Sequence, residues 1–171
     1  MSVRSIVDPV AVSHLAAWMV VMGVLYDYFR AAGDDAAVAL IDGLVGGPTT
    51  AAGAVDAVDC KGIDPDVALG SLVAFVRGVA WRPDLVRSDL VGDPDDDTPW
   101  LLRIDDGTRD TLAGIDSGQA PQLSARWGRT DELAPTGPLP DDHLVPVIEA
   151  IAGLARRARD DGDHLYCWCS L

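Results

Sequence analysis

Three side chains near the C-terminus, His164, Cys167 and Cys169, are of the types that bind soft metals. Zinc needs about four converging ligands. In an extended chain successive side chains alternate between faces, so His164 points away from both cysteines. The remaining cysteine is Cys60. The spacing therefore reads as a packed strand, and no metal or cofactor is expected. Asp93, Asp95 and Asp97 occupy positions one, three and five of a calcium loop. Thr98 stands at position six, where that loop needs Gly, and Ile104 at position twelve, where it needs Glu. An acidic, solvated loop fits better.

Nucleophilic catalysis needs a Ser or Cys beside a base and an orienting acid. The three histidines are His14 in an apolar stretch, His143 at a helix start and His164 at a strand start. No nucleophile-elbow pattern surrounds any serine, and no catalytic residue is assigned. Arg126-Trp127-Gly128-Arg129 could stack or bind an anionic ligand. The plainer reading buries Trp127 and pairs both arginines with Asp131 and Glu132. Paired carboxylates carry no information here, because nearly every segment has Asp.

That abundance is the main compositional signal. The chain has 171 residues, 27 acidic and 13 basic, for a net charge of −14. All acids except Glu132 and Glu149 are Asp, and all bases except Lys61 are Arg. The skew fits a GC-rich genome, with salt adaptation as the runner-up. Such acidity argues against nucleic acid, which needs basic surface to displace counterions, and against anionic lipid. Asp favours caps and turns over helix interiors, so many of these residues should mark element ends. Three cysteines are too few for a disulfide framework and suggest a reducing, cytoplasmic compartment.

The elements that must position these groups emerge from periodicity and punctuation. Pro9–Tyr26 is uncharged and strongly apolar, near the lower limit of a membrane span. Ser13 and His14 lie inside it, Asp8 and Asp27 flank it, and no signal-peptide cleavage pattern comes after it. The expectation is a central core helix from Asp8-Pro9 to Ala32, stopped at Gly33. Further helices are expected from Asp34 to Leu44, from Thr49 or Thr50 to Val58, and from Asp64-Pro65 through Val79. A short turn should run from Pro83 as far as Leu90.

Gly92 to Pro99 is a loop by composition. After it, Trp100–Ile104 reads as a strand, and Thr108–Ile115 and Pro121–Leu133 as helices. A long helix should span Asp142–Asp160, with Pro146 in its first turn and Gly162 as its stop. His164–Leu171 is the clearest strand, apolar on both faces, with Trp100–Ile104 as its natural partner. The expected fold is mainly α within an α+β class: a helical bundle around the N-terminal helix, carrying a two-stranded sheet from residues 100–104 and 164–171. Residues 1–171 should form a single domain, with a helical half (1–91), an acidic loop (92–98) and an α+β half (99–171).

These features point to a stoichiometric protein-binding or inhibitory protein. The specific form is an immunity protein or antitoxin that neutralises a basic toxin enzyme. Small size, strong acidity and missing catalytic motifs support it, since acidic surfaces steer docking onto basic sites. The expected contact surface is Asp93, Asp95, Asp96, Asp97, Trp100, Asp105 and Asp106, with Trp100 as aromatic anchor. The expected partner is a basic protein, with no nucleic acid and no membrane. The alternative is a small-ligand-binding protein or enzyme with its pocket between the helical half and the small sheet.

Overall fold

A computed structural model describes residues 24–51, 53–92 and 99–170. Its centre is a five-stranded, fully antiparallel sheet: β1 (Leu25–Ala31), β2 (Ala57–Asp59), β3 (Ser88–Leu90), β4 (Trp100–Ile104) and β5 (His164–Ser170), in the order β2-β1-β5-β4-β3. Among the described residues five helices surround it: α1 (Asp34–Ile41), α2 (Ala68–Arg77), α3 (Asp106–Ala113), α4 (Ala120–Trp127) and α5 (Val145–Asp161). The strands come from both sides of residue 92.

This corrects the expected fold. The molecule is α+β, but it is not a helical bundle with a two-stranded sheet. Three segments account for the difference. Leu25–Ala31, expected at the end of the N-terminal helix, is a strand. Its Tyr26 and Tyr28 join the core on one face, and Phe29 and Ala31 join the core on the other. Aromatic residues pack well on a pleated surface, and that preference overrides continuity with the apolar run upstream. Thr50–Val58, expected as an Ala-rich helix, is instead a short 3-10 turn at Pro48–Thr50 followed by β2. The stretch after Pro83 contains β3. The rest of the expected N-terminal helix lies outside the described residues. Among those described, no helix is long and apolar enough to cross a membrane.

The two sheet faces bury separate cores. On one, Tyr28, Ile104, Leu165 and Cys167 meet Leu69 and Leu72 of α2, Leu112 of α3, Trp127 of α4, and Ile148, Ile151 and Leu154 of α5. Trp127 is fully buried, and its indole N–H donates to the Ala68 carbonyl at 2.8 Å, so the polar atom of the largest core side chain is satisfied. On the other face, Phe29, Tyr166 and Trp168 pack beneath α1 and the loop after it, with Phe29 and Tyr166 stacked at 5.5 Å. Gly47 lets that loop close over the sheet. Its φ is +91°, and a Cβ there would lie 2.7 Å from the Trp168 ring.

Two helix starts follow the Asp logic, whereas Gly33, Gln119 and Leu144 precede α1, α4 and α5 without a side-chain cap. The Asp64 carboxylate accepts from the amides of Asp66, Val67 and Ala68 ahead of α2, and Asp105 caps α3 through the Thr108 amide at 2.9 Å. Pro146 sits in the first turn of α5, and Gly162 ends it at φ 76°.

β5 pairs with β1 along seven residue positions and with β4 along five, and it supplies side chains to both cores. A chain ending at His164 should therefore be insoluble or lack a cooperative thermal transition by circular dichroism. A soluble product with an unchanged melting curve would refute the central role of this strand.

Candidate functional site: an arginine–aspartate network at one end of the sheet

Antiparallel pairing brings the end of β1, the start of β5 and the end of β4 together. Ala31 lies opposite His164, and Ile104 opposite Leu165. Here the polar residues of three strands and three helices meet in one chain of contacts.

One branch starts at Arg30 of β1. Its Nε donates to Asp56 at 2.7 Å, and its Nη1 donates to Asp161 at 2.6 Å and Asp163 at 2.8 Å. Arg157 of α5 donates two further bonds to Asp56, at 2.7 and 2.8 Å, one to each carboxylate oxygen. Such fork geometry is the strong form of the arginine–carboxylate contact. The Arg157 bonds first, with Arg30 adding to them against the opposing effect of burial, hold Asp56 below the usual carboxylate range.

The second branch passes through Asp163, whose carbonyl accepts from Arg109 at 2.8 Å. Arg109 pairs with Asp106 at 3.2 Å, and Asp106 lies 2.7 Å from His164 Nδ1. Arg103 Nη2 lies against the His164 ring, 3.1 Å from Nε2 and 3.2 Å from Nδ1, and Arg103 Nη1 reaches Asp34 of α1 at 3.5 Å. Asp34 also accepts from the Tyr166 hydroxyl at 2.8 Å. Burial, reinforced by that bond, raises the Tyr166 phenol above its ordinary range.

The chemistry open to this network is limited by its own saturation. His164 has an acid partner, as a general base would, but its hydrogen bonds go to Asp106 and Arg103, and neither is a nucleophile. A shallow cavity of about 280 Å³ opens beside the first branch, lined by Arg30, Leu40, Val55, Asp56 and Asp163 among others. Both of its carboxylates are already bound to Arg30. Among the described residues no cluster of three or more His, Cys, Asp or Glu side chains could hold a metal ion. The network ties the layers together.

The residues expected to bind a partner are placed in two groups. Asp93, Asp95, Asp96 and Asp97 lie outside the described residues. Trp100 is 47% exposed at the start of β4, with Leu90 of the neighbouring edge strand 52% exposed. Asp105 and Asp106 lie past the other end of β4, roughly 13 Å away along an extended chain. Asp105 is the α3 cap, and Asp106 belongs to the network. Burial raises the Asp105 carboxyl, but the bonds from the Thr108 hydroxyl and from the Arg87 and Thr108 amides outweigh it and leave the group lowered.

The segment around Trp127 also differs in detail. Trp127 is buried as expected, but Arg126 stacks over the Phe75 ring at 4.4 Å, and Arg129 pairs with Asp141 at 2.7 Å. Cys167 and Cys169 are buried free thiols with sulfurs 3.7 Å apart, on the face opposite Tyr166 and Trp168.

No family model, no curated protein and no solved structure matches the chain. The fold and site define it as an acidic α+β protein. It has an antiparallel five-stranded sheet, a thick helical layer on one face, a thin one on the other, and an ion-pair network at one sheet end.

Asp56 and Asp105 both have lowered carboxyl groups, so each contributes stability that is present above the ordinary carboxylate pKa and lost as pH falls through the lowered value. Unfolding free energy should be flat between about pH 5 and about pH 8 and fall below about pH 4 as these two carboxylates protonate. Asp105→Ala should cost about 1 kcal/mol at pH 7 and shallow the acid limb. Urea titrations at several pH values test this, and an unchanged acid limb in the variant would remove Asp105 from the account.

Proposed function

We propose that this protein is a stoichiometric protein-binding or inhibitory protein, of the kind that neutralises a basic toxin enzyme as an immunity protein or antitoxin does. The observation that carries this reading is the distribution of charge. Arg30, Arg82, Arg103, Arg109, Arg129, Arg157 and Arg159 each have a carboxylate of this chain within ion-pair distance. Asp35, Asp42, Asp89, Asp131, Glu132 and Asp142 form no ion pair among the described residues. Seven of the described bases are thus paired with carboxylates, while Lys61, Arg77, Arg87, Arg126 and Arg156 form no ion pair among the described residues, and the larger number of unpaired acids leaves a net acidic surface. Such a field speeds encounter with a basic partner and orients it.

Trp100 and Leu90 supply exposed apolar surface on the strands that flank the Asp93–Asp97 sequence. An aromatic anchor ringed by polar residues is a common composition of a hot spot and its rim. The small-ligand alternative has less support, because the helix–sheet interface is filled by Trp127, Leu154, Ile151 and Leu165, all essentially unexposed.

Co-expression with the product of the adjacent gene tests the proposal. The expected result is one basic partner in a 1:1 complex whose association rate falls about tenfold or more between 50 and 500 mM salt. Trp100→Ala should speed dissociation with little change in association. A complex insensitive to both salt and Trp100→Ala, or no complex, would overturn it.

A further inference from the structure

We propose that β3 is the strand to which the partner adds: an extended segment of the basic protein pairs antiparallel with Ser88–Leu90 and sets a lysine or arginine opposite Asp89. This docking mode rests on the proposed protein-binding function for the nature of the partner. β3 ends the strand order, and among the described residues only β4 pairs with it. The ladder fixes which groups remain. The Asp105 amide donates to the Arg87 carbonyl, and the Val91 amide to the Leu101 carbonyl. Residues 87, 89 and 91 therefore direct their amides and carbonyls at β4, and Ser88 and Leu90 direct theirs outward. Outward groups of this kind are a template for an added strand. The other sheet edge differs. The turn Pro48–Thr50 and α5 lie against β2, and the adjoining Asp56 is held by Arg30 and Arg157. β3 instead leaves Asp89 and Leu90 exposed.

The side chains select the occupant. Leu90 extends the Cys167–Leu102 row to the edge, and Trp100 lies two residues from Leu102 on the same face. An apolar residue opposite Leu90 continues that row. Asp89 points to the other face and forms no ion pair among the described residues. Its neighbour on β4, Arg103, pairs with Asp34 and lies against His164. Toward an added strand, Asp89 holds the closely spaced, non-hydrogen-bonded position, where facing side chains meet. A cation there is attracted and a carboxylate repelled. Arg87 shares that face two residues earlier, so the fitting segment is basic opposite Asp89 and not opposite Arg87. A second copy of this chain is disfavoured by the same contact. The register that overlaps all three residues sets Asp89 against its own equivalent, between two molecules of net charge −14.

Nuclear magnetic resonance of the full chain with an acetylated, amidated Thr-Val-Lys-Val-Thr peptide tests this. The peptide should shift the Ser88 and Leu90 amides and slow their exchange with solvent. Glu in place of its Lys should weaken binding about fivefold. N-methylation of both valines removes the N–H groups that meet Ser88 and Leu90 and should abolish binding. Asp89→Lys, at an exposed position, should reverse the preference between the Lys and Glu peptides. Equal binding of the methylated peptide, shifts centred away from β3, or no binding overturns the inference. In the co-expressed complex the same two amides should be protected. A complex that forms with both still exchanging freely overturns this docking mode and leaves the protein-binding function standing.

Discussion

β5 must bury two apolar faces at once. Leu165, Cys167 and Cys169 belong to one core, and Tyr166 and Trp168 to the other. A strand of this kind cannot lie at an edge or on a solvated sheet. Its backbone groups need a neighbour on each side, and its side chains need a layer above and below. β1 and β4 supply the neighbours, in register along nearly the whole strand. α2 to α5 supply one layer, and α1 with the Gly47 loop supplies the other. Most of the architecture answers the composition of these seven residues.

Legibility tracked this constraint. The alternation in His164–Leu171 marks a doubly buried strand without ambiguity, and Trp100–Ile104 is readable as its partner. The long stripe of α5, with Pro146 at its start and Gly162 at its end, is equally plain. β1 was hidden because its aromatic residues continue an apolar run from Pro9, and an apolar run does not declare its period. β2 and β3 are three residues each, too short to show any alternation. A reading that finds only β4 and β5 leaves β5 with one bare edge, so its two-faced burial already implied a further strand.

The network lay beyond the sequence for a different reason. Arg30 and Asp161 are 131 residues apart, and Arg157 and Asp56 are 101 apart. With Asp throughout the chain, nothing local marks which carboxylate an arginine will meet. The pairs become inevitable only once β1 and β5 are side by side, because Ala31 opposite His164 sets Arg30 beside Asp163. The start signal at Asp64-Pro65, by contrast, was legible because a cap depends on its own neighbours, and Asp64 acts within four residues of itself. Asp105, expected as a partner contact, is a cap of the same local kind that went unread.

The two ends of the sheet differ in how far their charges are paired. At the His164 end, arginines and carboxylates are bound to one another, and an outside charge must break existing pairs to gain new ones. At the opposite end, β1 starts with the partly exposed Leu25 and β4 with the exposed Trp100, and the chain next to Trp100 is the Asp93–Asp97 sequence. An ion pair already made costs its desolvation again when exchanged, whereas an uncompensated carboxylate gains from any cation that approaches. On the proposed function, a basic partner would meet the Trp100 end in preference to the His164 end, where the carboxylates already have arginine partners. On that proposal, the arrangement of arginine, more than the excess of acid, would separate a surface for binding from one that holds the fold together.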